Sequence, residues 1–387
     1  MRRLGHVPAL DGVRGVAILL VLGVHAGAFI PGGWLGVDLF FVLSGFLITS
    51  LLLNEWGETA TVDFRAFYRR RAIRLFPCLF TMLSLYLAVM VVWTLVGAET
   101  DLARSVAGSL YGFVYVVNLV VAVNAQAVPW ELRHLWSLGQ EEQFYILWPA
   151  ILFGLLRARL GGWTIALFLV GLVVLTGGEY RMTSIVLGCI AGIVFTYRLM
   201  DMPAWLGTLA LPFAVALAVE YDHAGHGVVP ILLFTIPASV IVFAGAAHKA
   251  WWFARVLSCR PLRWFGKISY GLYVWHWPLF VAVGWRFGLP LSIAAAVLSY
   301  RYVEEPLLRH RHRPRARAAT REHSPAQESA LWQPHRIARL GLDDASTLRT
   351  FASRRSAQAK MITLPRRGST ASFRDQTEDP SGQSLLR

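Results

Sequence analysis

Of 387 residues, 56% are apolar by the broad count and 16% are charged, where ordinary soluble domains carry about 45–50% and about 25%. That is too little charge to cover the surfaces of the two or three soluble domains a chain of this length would form. A disordered chain, a coiled coil, a disulfide-stapled module and an ordinary cytosolic enzyme are excluded, and a polytopic membrane protein is left. The net charge of +14 divides into +5 over residues 1–308 (21 Lys/Arg against 16 Asp/Glu) and +9 over 309–387 (16 against 7). The basic balance therefore reports a tail and basic loops, not a nucleic-acid partner.

Mostly apolar runs of roughly 17–25 residues are long enough to cross a bilayer. They fall near 13–31, 33–53, 75–97, 105–123, 141–160, 162–178, 181–199, 203–220, 227–247, 264–287 and 288–304. The first is not a secretory signal: Arg14 interrupts it, and Pro31-Gly32-Gly33 turns straight into the second, a tight membrane hairpin. Positive charge in short loops puts Arg2/Arg3, Arg65–Arg74, Arg157/Arg159, Arg198, the 249–267 loop and the tail on the cytoplasmic side. Eleven crossings cannot satisfy that list. One segment between the Arg74 and Arg157 loops, 105–123 or the start of 141–160, must be re-entrant or off-axis. The expected fold is an all-α membrane helix bundle of about ten transmembrane helices over 1–308, multi-pass in the plasma (inner) membrane, with both termini cytoplasmic. Residues 309–387 read as a disordered basic tail, a solvated flank more than a lipid-headgroup contact. Cys78, Cys189 and Cys259 are too scattered for a disulfide framework or a metal site.

An ionisable side chain inside a span costs roughly 2.5–3.5 kcal/mol on insertion scales and is a functional candidate by default. Arg14 and His25, eleven residues apart, share one helix face about 16 Å apart along the axis. Asp38 lies as far beyond the hairpin turn as His25 lies before it. A carboxylate beside an imidazole fixes its tautomer and suits a general base, so Asp38 is expected to orient His25. Arg70, Arg71 and Arg74 enter the next span from the cytoplasm, with Arg71 and Arg74 on one face, where guanidiniums can grip phosphates. In His134-Leu135-Trp136-Ser137-Leu138-Gly139-Gln140-Glu141-Glu142-Gln143-Phe144-Tyr145, Glu141 shares the face of Tyr145 and Trp148. Glu142 points about 100° away, so one carboxylate can face a cavity while the other meets water. Tyr273 and His276 lie among aromatics and can line a cavity or form an interfacial belt. Arg301 and Glu304 can pair at i,i+3. His223 and His226 have metal-like spacing but read as loop histidines, and no P-loop, dinucleotide fingerprint or metalloprotease helix is present.

Together these blocks resemble the acyltransferase 3 family of integral-membrane O-acyltransferases over roughly 8–308. Leu10-Asp11-Gly12-Val13-Arg14-Gly15 with His25 is similar to the family's first-helix Arg-x10-His motif, and Gly36 to Ile48 to its second-helix block. Arg70, Arg71, Arg74 and Pro77 match an Arg-Arg-x-x-Arg-x-x-Pro element. Trp136-Ser137-Leu138 with Glu141, Phe144 and Tyr145 resembles its Ser-Leu-x-x-Glu-x-x-Phe-Tyr signature; Ser269-Tyr270, Tyr273, His276 and Glu304-x-Pro306 also agree. The resemblance implies transfer of an acyl group, usually acetyl, from cytoplasmic acyl-CoA to a hydroxyl of a saccharide, glycan, lipid-linked or macrolide-type acceptor. His25 takes the catalytic role with Glu141, and Asp38 joins them on the hairpin geometry alone. Arg14, Arg70, Arg71, Arg74, Ser137, Tyr145, Tyr273 and His276 bind substrate. No metal, ATP or bound cofactor is needed. The chain between His276 and residue 306 is short, so the last crossing is expected to be tilted or incomplete. Nothing in 310–387 resembles the SGNH-type hydrolase domain of some relatives, which points to a single-domain member. The runner-up is a transporter or flippase for a glycolipid or polyketide, against which stands the lack of internal repeats.

Overall fold

The computed structural model describes residues 1–27, 30–175, 181–220 and 228–310, and its helices begin where the local sequence favours them. Pro8 stands in the first turn of α1 (Pro8–His25) with Asp11 close behind, a missing N–H and a negative charge that both suit a helix start. A 3-10 turn over Pro31–Trp34 runs into α2 (Leu35–Thr59). α3 (Phe64–Leu95) and α4 (Leu102–Phe113) are capped by aspartates: Asp63 accepts from the Ala66 N–H and Asp101 from the Arg104 N–H, both at 2.9 Å. α5 (Val117–Val123) and a 3-10 turn over Trp130–Leu135 lead into α6 (Trp136–Arg157). Then come α7 (Gly162–Leu175), α8 (Met182–Tyr197), α9 (Ala204–Glu220), α10 (Val228–Ala247), α11 (Trp252–Leu257), α12 (Arg260–Ser299) and α13 (Glu305–His310). Among the described residues there is no strand.

The fold is an all-α membrane helix bundle. Pro8–His25, Pro31–Thr59, Phe64–Leu95 and Arg260–Leu307 are long and apolar enough to cross a membrane, and Gly162–Leu175, Met182–Tyr197, Ala204–Glu220 and Ile231–Ala247 are shorter apolar helices. Large apolar side chains such as Leu85, Val92, Trp93, Leu167, Phe168 and Phe213 are exposed on the outer surfaces, where a bilayer rather than water suits them. The segment 105–123 is broken: Tyr115 adopts a left-handed φ of 57° between α4 and α5. The longer piece has 12 residues, about 18 Å of helix against a hydrocarbon core of about 30 Å. The break falls in one of the two segments that the charge pattern offered as re-entrant or off-axis.

Glycines set the helix spacing. A Cβ on Gly12 would lie 1.8 Å from the Leu257 carbonyl oxygen and one on Gly15 2.1 Å from that of Leu262, while one on Gly266 would lie 1.8 Å from that of Asp11. α1 therefore touches the end of α11 at Gly12 and the start of α12 at Gly15 and Gly266, backbone to backbone. Ten residues beyond Gly15 along α1, His25 meets His276, fourteen residues beyond Leu262, so the two helices run parallel. α2 and α8 meet in the same way through Gly45 and Gly188.

α12 is two arms. Gly284 has φ 72° and ψ 159° and reverses the chain. Gly271 then faces Ala296, and Gly288 faces Phe280, pairs centred on the turn. The spans read near 264–287 and 288–304 are these arms. The second does not stop short: it passes through a π-helical turn, Tyr300–Glu304, into α13. Opening the helix there also breaks the i,i+3 register, and Arg301 and Glu304 do not pair. Ser299 Oγ donates to Glu304 at 3.4 Å, and Arg301 lies 5.8 Å from the Tyr302 ring. Cys78, Cys189 and Cys259 are free thiols. His223, His226 and the tail from Arg311 lie outside the described residues.

Candidate active site

A cavity of about 590 Å³ lies between α1, α2, α3, α6 and the first arm of α12. α3 carries Arg70, Arg71 and Arg74 into it because its first turns are arginine-rich at helical spacing, and α1 adds Arg14. α2 gives an apolar wall of Phe40, Phe41, Leu47 and Ile48. Glu55, Glu141 and Glu142 are the facing carboxylates, so the four guanidiniums leave the walls net cationic. Among the described residues none of these four arginines has an ion pair within 4.0 Å, and the buried Arg71 Nε has no hydrogen-bond partner. Such a wall suits a multiply charged anion.

Glu141 is held from two sides. Ser44 Oγ donates to its Oε1, and the Tyr145 hydroxyl lies within hydrogen-bond reach of both that oxygen and Ser44 Oγ, 2.7 Å from the latter. The Arg71 guanidinium carbon lies 2.9 Å from the centroid of the Tyr145 ring. The shared face of Glu141 and Tyr145 is as expected, but Trp148 turns to donate to Thr49 Oγ1 at 2.9 Å. Glu142 also lines the cavity instead of meeting outside water, because α3 covers that side of α6.

The parallel track of α1 and α12 joins this cavity to His25. Ser269, Tyr270 and Tyr273 line it, and His276 lies one turn further along, against His25. His276 Nε2 is 3.3 Å from His25 Nδ1, and the two ring centroids are 5.1 Å apart. Between cavity and imidazoles stands a hydroxyl pair: Tyr273 Oη bonds Ser137 Oγ and donates to the His134 carbonyl at 2.9 Å. The 3-10 turn before α6 brings in His134, whose Nε2 donates to the Val274 carbonyl at 3.2 Å. Burial, in the vicinity of His25, pushes the His134 imidazole down to about 3 from its ordinary 6.5. Beyond His25 is an aromatic wall: the Trp277 ring is 4.7 Å from the His25 ring, and Trp277 Nε1 donates to the Trp130 carbonyl at 3.0 Å. Trp130 is 53% exposed.

The residues selected from the sequence thus divide. Arg14, Arg70, Arg71, Arg74, Ser137, Glu141, Tyr145 and Tyr273 meet in the cavity. His25 stands past its end, exposed. His276 is fully buried, with both ring nitrogens engaged, so it underlies His25 and does not line the cavity. Asp38 is the clear correction. It is fully buried and accepts from Ser184 Oγ at 2.8 Å and from Arg181 Nη1 at 3.4 Å, because the α2–α8 contact carries it to α8 and away from His25. The sequence reading missed Arg181, which sits 4.6 Å from the Trp34 ring and 5.1 Å from that of Trp136; it opens the apolar run 181–199, and nothing local signals its tie to Asp38. It also gave no role to Ser44, His134 and Trp277. Among the described residues no group of three or more His, Cys, Asp or Glu side chains converges as metal ligands would.

A family model described as an acyltransferase domain matches residues 7–300. Among curated proteins, the peptidoglycan O-acetyltransferase OatA of Listeria monocytogenes is 29% identical over 358 residues, covering 78% of this chain and 56% of the relative. The O-acetyltransferase OatA of Staphylococcus aureus is 30% identical over 354 residues, covering 78% and 57%. The chain thus spans a little over half the length of these relatives. No solved structure matches.

Proposed function

The chain belongs to the acyltransferase family whose domain model it matches, and from that premise we propose that it is a membrane O-acetyltransferase acting on a carbohydrate hydroxyl. The observation that carries the reading is the track from the arginine-walled cavity to His25. Arg14 and His25 are eleven residues apart on α1, about 16 Å. A donor whose anionic end rests on Arg14, Arg71 and Arg74 must therefore present its acyl carbon more than a dozen ångströms away. Acyl-CoA, with phosphates at one end of a long pantetheine arm and a thioester at the other, has that layout; acetyl phosphate does not. The cavity of about 590 Å³ takes the arm along the apolar face of α2. On the charge pattern of the loops the donor enters from the cytoplasm.

The acceptor approaches His25 from its exposed side, past Trp277 and Trp130. As the acceptor oxygen attacks the thioester carbonyl, its proton passes to His25. The C–O bond forms, the C–S bond breaks, and the thiolate recovers that proton from the imidazolium. The relatives named for O-acetylation of peptidoglycan favour a glycan acceptor, whose sugar faces suit an aromatic wall.

The test is incubation of membranes holding the protein, or its His25→Ala variant, with labelled acetyl-CoA, followed by mass spectrometry of glycans, lipids and metabolites. Label on a hydroxyl with wild type alone is expected. Absence of transfer from acetyl-CoA and from longer acyl-CoAs, with both proteins folded and inserted, overturns the reading.

A further inference from the structure

We propose that His276 is a positioning residue that sets the tautomer of His25, a role that rests on the transferase reading above. His276 Nδ1 lies 2.7 Å from the Tyr273 carbonyl and 3.2 Å from that of Leu272. A carbonyl oxygen can only accept, so Nδ1 carries the hydrogen. A neutral ring protonated there can only accept at Nε2, and the atom facing Nε2, at 3.3 Å, is His25 Nδ1. His25 Nδ1 must then donate. Its own proton is fixed on Nδ1, and its lone pair is on Nε2.

That assignment decides whether His25 can act. With the other tautomer, Nε2 would present an N–H to the acceptor and could take no proton. With this one, Nε2 takes the hydroxyl proton, and the resulting imidazolium still donates from Nδ1 to His276, a charge-assisted hydrogen bond that stabilises the new charge. The supporting ring is itself fixed. His276 is fully buried, the Phe280 ring stands edge-on 5.8 Å from it, and His134 stands edge-on at 5.5 Å. This is the task the sequence assigned to Asp38, carried out by a neutral group from the parallel helix.

The experiment uses the full chain in detergent micelles with ring-15N-labelled histidine, the His25 signals being assigned by their loss in His25→Gln. Wild type is expected to show His25 protonated on Nδ1 and bare on Nε2. His276→Gln, whose amide oxygen can accept in the same place, should keep that pattern; His276→Leu, which cannot accept, should lose it. In transfer assays His276→Leu should lower kcat roughly 100-fold with the acetyl-CoA KM within about threefold, and His276→Gln should recover at least about tenfold of the loss. A wild-type His25 protonated on Nε2, or a His276→Leu enzyme with wild-type kcat, overturns the proposal. If wild type transfers no acetyl group, the transferase reading fails while the nitrogen signals still decide the tautomer.

Discussion

Asp38 Oδ2 and Arg181 Nη1 lie 3.4 Å apart, the carboxylate fully buried and the guanidinium side chain 16% exposed between two tryptophans. Each ion is a liability without the other, because an unpaired charge left in a buried site costs several kcal/mol. Asp38→Asn and Arg181→Gln should each lower the folded yield and the melting temperature in detergent. The double variant should fall by less than the sum of the two, a coupling of at least ~1 kcal/mol. Specific activity per folded molecule should stay within about threefold in Asp38→Asn, since Ser184 and Arg181, not His25, are its partners. Additive losses in the double variant would show that the pair is not coupled.

Arg71 should reveal which end of the donor the cavity holds. A charge-assisted contact to phosphate is worth roughly 1.5–3 kcal/mol, so Arg71→Ala should raise the acetyl-CoA KM about 10- to 100-fold with a smaller change in kcat. Arg71→Lys should fall between, since a point charge keeps the attraction and loses the fork and the stacking on Tyr145. S-acetylpantetheine, which lacks the phosphates, should be indifferent to both substitutions. Equal effects on both donors would place Arg71 in structural support of Glu141.

The helices and the arginine wall were legible because both are local: an apolar run is a helix wherever it packs, and Arg70, Arg71 and Arg74 reach one side by their spacing alone. The hairpin at Pro31–Gly33 and the reversal inside 264–304 were legible from glycine, proline and length. The partner of His25 was not. Counting equal steps from a turn puts Asp38 at the right depth, but helix rotation sends its carboxylate to α8 through the Gly45–Gly188 contact. His276 reaches His25 across 251 residues of sequence, through a parallel contact of α1 with α12 that depends on Gly15 and Gly266 together.

Those glycines can be tested directly. A Cβ on Gly45 would lie 2.1 Å from the Ile185 carbonyl oxygen and 2.8 Å from the Cys189 nitrogen, all of it α8 backbone with no flexible side chain to yield. Gly45→Ala should destabilise by at least the ~1–3 kcal/mol typical of overpacking, read as a lower melting temperature in detergent. Gly154→Ala, on an open stretch of α6 with nothing within 4 Å, should be neutral or slightly stabilising through helix propensity. Equal effects at the two positions would refute close packing as the cause.

His134 should make stability sensitive to acid. Its folded imidazole is pushed down to about 3 from 6.5 by burial, so the unfolded chain binds a proton that the folded chain refuses. That stability is fully present above the unfolded value of 6.5 and declines as pH falls from there toward 3, by up to about 1.4 kcal/mol per pH unit. The melting temperature of wild type should therefore drop between pH 6.5 and pH 4. His134→Gln should start lower, through loss of packing, and show a shallower slope. An unchanged slope would mean that other groups govern the acid limb.

Trp277 separates the two substrates. Its ring touches His25 from outside the cavity, 4.7 Å centroid to centroid, and its indole N–H is tied to the Trp130 carbonyl, so it is held as a wall beside the base. If acetyl-CoA fills the arginine cavity and the acceptor comes from the exposed side of His25, removing the wall should affect one substrate only. Trp277→Ala should raise the acceptor KM about 3- to 10-fold, the ~0.5–1.5 kcal/mol of an aromatic contact, and leave the acetyl-CoA KM within about twofold. Trp277→Phe keeps the ring face and should recover most of the acceptor affinity. A rise confined to the acetyl-CoA KM would put the donor on the His25 side of the Tyr273–Ser137 hydroxyl pair, and the direction of entry would have to be reversed.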